Sequence, residues 1–549
     1  MTPNPKTMKT SFFLKPNVVM EPLIDRWYAW PHLISPATAS MNIVGRHLKI
    51  MNSYIQSPQI HAAAVKNPKM LGGPFMDYEG GRVEEIKALR EQIKTQCAKS
   101  IEFQAAIVEL DKLLKNNAKG HSLETLYEKV PDILKGYVEL VYDLNNNPSF
   151  RLFESLLYDS EFYAKSSQSI ALWITNNDSR PFCLSTPRLD DPGVLHLNIP
   201  FDHPGIDALS KMKRNPGDIG EIADMLGIKP EDRALFDSFF TEQEHPKYKK
   251  YEGEKARMRY FGHACILVET KEVSILLDPV ISYYGYESSV KHFSDIDLPD
   301  VIDYVIITHN HQDHILLETL LPLRHKIKNI IIPITTSGAL QDPNLKLAFK
   351  SIGFHNVIEM DEMEKIKFED VTITAVPFTG EHSDLNIRAK SCFHIAIKQF
   401  AFLFVADSRV MEPMLYRHIQ RVTGNVDVLF LGMECDGAPL SWLYGPLLTE
   451  DLARDKDQSR RLSGSDFEKG ISLVNIFNPK EVYVYAMGQE PWLEFISSIK
   501  YTPESNPIVQ SNRLIEECQS RKILAERLFG EKELLYDYES QVASAAASN

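Results

Sequence analysis

The sequence predicts a layered α/β domain in its second half, preceded by a mainly helical α+β domain. Three observations carry that prediction. Short strands and helices alternate after about residue 257, polar residues gather where those strands end, and residues 78–163 carry a helical apolar period instead. The chain has 549 residues, more than one hydrophobic core usually organises, so at least two domains are expected.

From about Tyr78 to Tyr163, "GGRVEEIKALREQIKTQCAKSIEFQAAIVELDKLLKNN" repeats apolar residues at the spacing of an amphipathic helix or a broken pair of helices. "SLETLYEKVPDILKGYVELVYDLNN" continues with its own stripe and is read as helix too. Between Trp173 and Pro204, short apolar runs split by Asn, Asp, Pro and Gly predict a few strands and loops. "GDIGEIADMLGIKPEDRALFDSFF" returns to helix, with Gly227 as the stop and "KPED" as a restart. The charged stretch "TEQEHPKYKKYEGEKAR" has almost no apolar residues apart from tyrosine and marks a boundary near residues 241–256. The expected division is residues 1–250, residues 251–535, and a disordered tail at 536–549 that ends in "SQVASAAASN".

After the boundary, "MRYFGHACILVET" and "KEVSILLDPV" predict a hairpin whose second strand ends at Asp278. "VIDYVIITH" reads as a buried strand, "HILLETLLPLRHK" as a helix and "NIIIPI" as another strand. "KIKFEDVTITAVPF" and "SCFHIAIKQFAFLFVADS" are two further strand pairs; "NVDVLFLGME" and "EVYVYAMG" are strands that end in polar residues.

Composition narrows the function classes. A formal net charge of -14 argues against a general phosphate-binding surface, so no nucleic-acid partner is expected. No stretch approaches the roughly 20 apolar residues needed to span a bilayer, and "MTPNPKTMKTSFFLKPNVV" lacks the apolar core of a signal peptide. No membrane association and a cytoplasmic location are the resulting expectations. Six scattered cysteines, without a CxxC pair, read as inert thiols in a reducing compartment rather than as a zinc ribbon or disulfide framework.

The densest chemistry lies in "THNHQDH". His309 and His311 stand two apart at a strand end, where period two points both side chains the same way and lets them chelate one metal. Asp313 and His314 follow at the expected start of a helix, which swings a carboxylate and a third imidazole toward a second metal. A polar loop with incidental histidines is the plain alternative, and strand, HxHxDH, helix is a specific enough order to disfavour it.

"THNHQDH", together with "FGHACILVET", "SILLDP" and "FVADS", resembles the metallo-β-lactamase fold, an αββα sandwich with a dinuclear metal site at one sheet edge. The resemblance spans about residues 257–500. It implies that Asp407, directly after "AFLFVA", bridges the two metals, although an aspartate there could also cap the next helix. Two departures stand out. Where hydrolases of this fold place a histidine after a glycine, "PFTGEHSD" puts Glu381 in front of His382, and "YVYAMGQEPW" lacks the fold's last histidine. Gaining carboxylate and losing imidazole makes the donor set harder and better suited to iron or manganese than to zinc.

A second resemblance covers nearly the whole chain. "FFLKPNVVMEPLIDRWYAWPHLISPATA", "RHLKIMNSYI" and "NPKMLGGPFMDYEGGRVEEIKALR" are similar to the chloramphenicol-pathway β-hydroxylase and its relatives, dinuclear iron oxygenases that join this fold to a distinctive N-terminal domain. That likeness implies His309, His311 and Glu381 on one iron, Asp313 and His314 on the other, and Asp407 between them. It implies two ferrous ions, oxo-bridged when oxidised, dioxygen as co-substrate, and an external electron donor. The implied reaction is β-hydroxylation of an amino acid, aromatic by expectation, held as a thioester on a carrier domain of a nonribosomal peptide synthetase. Glu381 and Glu434 are the candidate catalytic carboxylates, and a buried Glu434 paired with an arginine is the alternative for the latter. His382 is left open as a ligand or a supporting group, and His263 is expected to be structural or substrate-facing.

Trp442, Tyr444 and Trp492 are candidates to line an aryl pocket, and each could equally be core. A tethered substrate demands a docking surface, which points to the N-terminal domain for docking, dimerisation or both. Arg82, Lys87, Arg90, Lys94 and Lys99 offer one basic face for an acidic carrier, unless the interleaved glutamates make it only a solvated helix face. The rival readings are a dinuclear zinc hydrolase of the same fold and a metal-free scaffold. Glu381 and the N-terminal likeness count against the first, and the intact ligand set counts against the second.

Overall fold

The computed structural model describes residues 11–536. The expected tail, apart from Tyr536, lies outside the described residues, as do the first ten residues of the N-terminal stretch read for a signal. Two seven-stranded sheets form the centre of the second domain. The first runs in the order Val357–Met360, Ile327–Pro333, Ile302–Ile306, Ser274–Leu277, Cys265–Glu269, Ala256–Gly262 and Lys532–Tyr536. Its first four strands are parallel and the rest antiparallel. The second sheet orders Lys365–Phe368, Val371–Val376, Cys392–Ile397, Phe400–Phe404, Val428–Gly432, Glu481–Tyr485 and Leu524–Arg527, antiparallel at one end and parallel at the other.

The sequence explains the layering. "SILL" and "VLFLG" are buried at every position, as strands covered on both faces must be. Ile266, Ile275, Phe393, Phe402, Phe404 and Tyr483 fill the space between the sheets. Helices Pro413–Thr423, Phe467–Phe477 and Asn506–Ser520 cover the outer face of the second sheet, where Tyr416, Val474 and Leu514 meet Leu429 and Leu431. The result is the αββα sandwich of the metallo-β-lactamase fold.

The outer face of the first sheet is covered by helix Leu317–Leu323 and then by the N-terminal domain. That domain contains a four-stranded antiparallel sheet, Trp27–Tyr28, Val18–Ile24, Gln168–Ile174 and Leu195–Leu197, and the helices Val83–Gln96 and Ala98–Asn117. One continuous core runs from Trp27, Trp30 and Phe103 to Leu276, Val305 and Leu320. The two domains are thus packed as one body, with the boundary stretch passing along the outside as loop until Ala256 starts a strand.

Two local expectations need correction. "VELVY" is a strand, Val138–Tyr142, paired with Pro148–Leu152, and the residues before it form short 3-10 turns at Glu124–Lys129 and Asp132–Leu134. The apolar spacing there also fits period two, and Pro131 and Gly136 interrupt any helix. The strand before "THNHQDH" ends at Ile306, and the next helix starts only at Leu317, so residues 309–314 form a turn-rich loop rather than a strand end and a helix start.

Candidate metal centre

The site is built where strands of both sheets give way to loops on one edge of the sandwich, the usual place for ligands in open α/β sheets. His263 occupies the turn after Ala256–Gly262, Asp278 follows Ser274–Leu277, and His309 to His314 follow Ile302–Ile306. From the second sheet come Glu381 after Val371–Val376, Asp407 after Phe400–Phe404, and Glu434 after Val428–Gly432.

Three groups of donor atoms result, each within 4.8 Å: His309, His311 and Glu381; His263, Asp313 and His314; and His309, His314 and Asp407. His311 Nδ1 faces Glu381 Oε1 at 3.0 Å, and His314 Nε2 faces Asp407 Oδ2 at 3.2 Å. Asp407 Oδ2 is also 3.9 Å from His309 Nε2, so this carboxylate stands between the two imidazole groups.

Neighbouring hydrogen bonds fix which nitrogen each ring presents. Asp278 accepts from the Thr308 backbone N–H at 2.8 Å, the Thr308 hydroxyl at 2.6 Å and His314 Nδ1 at 2.8 Å. A neutral His314 therefore turns a bare Nε2 to the site. His309 Nδ1 lies 3.0 Å from the Thr308 hydroxyl, whose proton is already given to Asp278, which leaves His309 Nε2 bare. His311 Nε2 bonds the Tyr444 hydroxyl at 2.9 Å, leaving Nδ1 for the site.

The electrostatics are those of donors crowded together. Burial lowers the His309 pKa well below its ordinary value, and the neighbouring His314 and His311 push the same way. Burial also opposes a charge on His314, yet the Asp407 and Asp278 carboxylates outweigh it and hold its pKa well above ordinary. Glu381 is held down to about 2 because His311 and His382 outweigh its burial. Asp313 likewise lies below the ordinary carboxylate range through His263, His314 and His311, against burial, whereas burial raises Asp407 against the pull of His314.

The residues fit a metal pair. His309 Nε2 and Asp407 Oδ1 are buried and have no hydrogen-bond partner, and buried lone pairs of this kind call for a cation. The six residues named from the sequence contribute three imidazoles and three carboxylates, a mixture suited to iron.

Other sequence-named residues separate on inspection. His263 Nδ1 accepts from the Gly488 backbone N–H at 3.1 Å, so a neutral ring carries its proton on Nε2, which stands 3.2 Å from His314 Nε2 and 3.5 Å from Asp313 Oδ2. His382 stacks on His311 with ring centroids 4.4 Å apart, its Nδ1 stands 2.8 Å from Glu381 Oε2, and its Nε2 is buried without a partner. It is absent from the donor groups, and burial pushes its pKa down to about 4. Among the described residues no arginine pairs with Glu434; its carboxylate accepts the Gly437 N–H at 2.7 Å. Burial pushes the Glu434 pKa up to about 8, with Gly437 opposing and Asp436 and Asp407 adding.

Beside the donors opens a cleft of about 1330 Å³, lined by Asp313, Glu381, Asp407 and Glu434 and by N-terminal-domain residues that include Arg46, Lys49 and Phe182. Trp442 lines it, with its ring stacked against Phe182 and its indole N–H bonded to Gly72 O at 2.7 Å. Tyr444 is buried behind His311, and Trp492 packs against Gly262 and His292, so neither lines the cleft. Sequence reasoning missed Asp278 and Thr308 as supports of the loop. The signal available was a polar residue ending the strand next to the one that carries the histidines.

An αββα sandwich with two histidine–carboxylate groups at one edge defines a metalloprotein of the metallo-β-lactamase fold. Residues 13–244 match the diiron non-heme beta-hydroxylase N-terminal domain and residues 274–438 the beta-lactamase superfamily domain. The 4-amino-L-phenylalanyl-[CmlP-peptidyl-carrier-protein] 3-hydroxylase of Streptomyces venezuelae is 36% identical over 524 residues, 94% of this chain and 98% of that protein. The crystal structure of CmlA, a diiron beta-hydroxylase from Streptomyces venezuelae, superposes with a TM-score of 0.90 at 35% identity, covering 96% of this chain and 99% of that one. This chain belongs to the family of diiron non-heme β-hydroxylases, and with that family go two iron ions.

Proposed function

We propose that this enzyme hydroxylates the β-carbon of an amino acid carried as a thioester on a carrier domain of a nonribosomal peptide synthetase, using dioxygen and an external electron donor. The observation that carries the reading is the shape of the cleft. It reaches from the carboxylates Asp313, Glu381 and Asp407 to exposed N-terminal-domain residues at Lys49 and Lys69, far more room than a free amino acid fills. A substrate delivered on a long arm makes use of that length. The stacked Phe182 and Trp442 rings in the wall suit an aryl side chain.

In this reading His309, His311 and Glu381 would hold one iron and Asp313 and His314 the other, with Asp407 available to either. The irons, when bound, activate dioxygen for attack on a C–H bond. The protein's own contribution is positioning. Asp278, Thr308 and Tyr444 fix the rings of His314, His309 and His311, and the His263 N–H steadies the Asp313 carboxylate. Glu434 stands in the cleft wall, where burial raises its pKa to about 8. Met487, Ile499 and Leu184 keep the wall apolar and limit water. The N-terminal domain, which supplies one side of the cleft, receives the carrier, and it is also the candidate surface for pairing two copies of the chain.

The test is metal analysis of protein grown with sufficient iron, followed by anaerobic reduction and oxygen exposure with a panel of aminoacyl carriers. About two irons per chain and a product heavier by one oxygen on an aryl aminoacyl carrier are expected. About two zincs and thioester hydrolysis without oxygen uptake would instead place the activity among the hydrolases.

A further inference from the structure

The basic face named from the sequence on helix Val83–Gln96 and just beyond it is neutralised. Arg82 pairs with Glu85 at 2.6 Å, Lys87 with Glu84 at 2.7 Å, Arg90 with Glu91 at 2.8 Å, Lys94 with Glu91 at 3.1 Å and Lys99 with Glu102 at 3.7 Å. A face already paired within itself offers little to an anion.

The rim of the cleft is different. Residues 45, 46, 49, 50 and 53 follow one another on one helical face and all line the cleft. Gly45 lets that helix touch Pro446, and Arg46 caps the Trp442 and Leu443 carbonyls at 2.9 and 3.0 Å. One turn beyond Arg46, Lys49 is exposed at the rim. The second rim segment is Lys69 to Phe75, held by the bond from the Trp442 indole to Gly72 O, and Lys69 is exposed there. Among the described residues neither ammonium group has a carboxylate partner. Most other rim charges are already used: Glu450 pairs with Lys115 at 3.1 Å, Asp457 accepts from Ser441, and Arg461 donates to the Asp436 and Gly437 carbonyls. Asp451 and Arg454 are exposed on the opposite, C-terminal-domain wall of the cleft.

We propose that Lys49 and Lys69 form a subsite for the phosphodiester at the far end of a carrier's phosphopantetheine arm. This rests on the function proposed above, whose chemistry fixes the geometry. The thioester must lie near the metal donors at the base, so the phosphate emerges at the rim, where the two free ammonium groups stand. The subsite would make the enzyme prefer a carrier-bound amino acid over the same group on an uncharged arm.

The test uses full-length, iron-loaded protein and two probes, phosphopantetheine and pantetheine, by calorimetric titration. Wild type should bind the phosphorylated probe about tenfold more tightly, and Lys49→Gln/Lys69→Gln should bind both alike while Lys49→Arg/Lys69→Arg keeps the difference. With an aminoacyl carrier the Gln pair should raise KM about tenfold and leave kcat within twofold, and on the aminoacyl-pantetheine thioester it should change neither. Equal binding of both probes by wild type, or equal losses on both substrates, would overturn the subsite. Phosphate-dependent binding without turnover of any aminoacyl carrier would leave the subsite standing and remove the proposed reaction.

Discussion

At the scale of single residues, the centre is held by backbone conformations that most side chains avoid. His263, Asp278, Glu381, Ala406 and Ala486 all have positive φ, between 36° and 62°, and all stand on or beside the donor groups. Each such residue costs on the order of 1–3 kcal/mol, so the surrounding packing must impose it. Gly432 belongs to that packing: a Cβ there would come within 2.4 Å of Ala406 O, the carbonyl just before Asp407. Asp278 has the most to do, since it orients His314 and pins Thr308 at once. Asp278→Asn keeps the shape but sets an amide N–H against one of those donors. Metal affinity, read by chelator competition, should fall about 10- to 100-fold with the circular dichroism spectrum unchanged. His309, His311, Asp313 and His314 stood out in the sequence because HxHxDH is a pattern of residue type, whereas Glu381 and Asp407 were named through the family resemblance; the fold brings these six side chains together. Asp278, His263 and Tyr444 were less legible, because each role depends on a strand or loop distant in sequence.

At the scale of elements, helix Leu317–Leu323 transmits order from the first sheet to the N-terminal domain, and a buried ionic cluster fixes it. Glu318 on that helix meets Arg180 at 2.7 Å, Arg180 also meets Glu21 at 2.9 Å, and Arg188 meets Glu21 at 2.8 Å. Tyr283 adds a hydrogen bond to Glu318, and the Arg180 guanidinium lies over the Phe495 ring. The Arg180 and Glu318 side chains are only 9% and 2% exposed, so the charges are worth keeping only as a set. Arg180→Met would leave Glu21 with Arg188 but Glu318 with only the Tyr283 hydroxyl, and should destabilise by about 3–5 kcal/mol in urea titration. Little or no loss would mean that water reaches the cluster. Nothing in one sequence pairs Arg180 with Glu318, which lie 138 residues apart. The strands of the sandwich were legible because runs such as "SILL" and "VLFLG" have no polar face to misplace. "VELVY" was misread because its apolar spacing suits helix and strand equally, and pairing with Pro148–Leu152 decided the matter.

At the scale of the whole molecule, the cleft exists only because the two domains are packed together, since each supplies part of its wall. Anything that loosens the seam should therefore disturb substrate placement before it disturbs either sheet. Glu154 sits in that seam. It accepts the Ser35 hydroxyl at 3.1 Å and the backbone N–H of Asn344 at 3.2 Å, and Asn344 caps helix Leu345–Ser351 across the domain boundary. Burial pushes its pKa up to about 7, with the Asn344 N–H opposing. The sign of the consequence follows from proton counts. Below about pH 4.5 the carboxyl is protonated folded or unfolded and contributes no pH dependence. Between about 4.5 and 7 only the folded chain keeps the proton, so stability falls as pH rises, by up to about 1.4 kcal/mol per unit, and the loss is complete above 7. Glu154→Gln is neutral throughout and keeps an acceptor for Ser35. Its stability relative to wild type, from urea titrations at pH 5, 6, 7 and 8, should therefore rise by about 2–3 kcal/mol across that range and then level off. Parallel curves would mean that the seam is hydrated at Glu154 and that its packing is set elsewhere, by ties such as the Arg180 cluster and the Arg46 bonds to the Trp442 and Leu443 carbonyls.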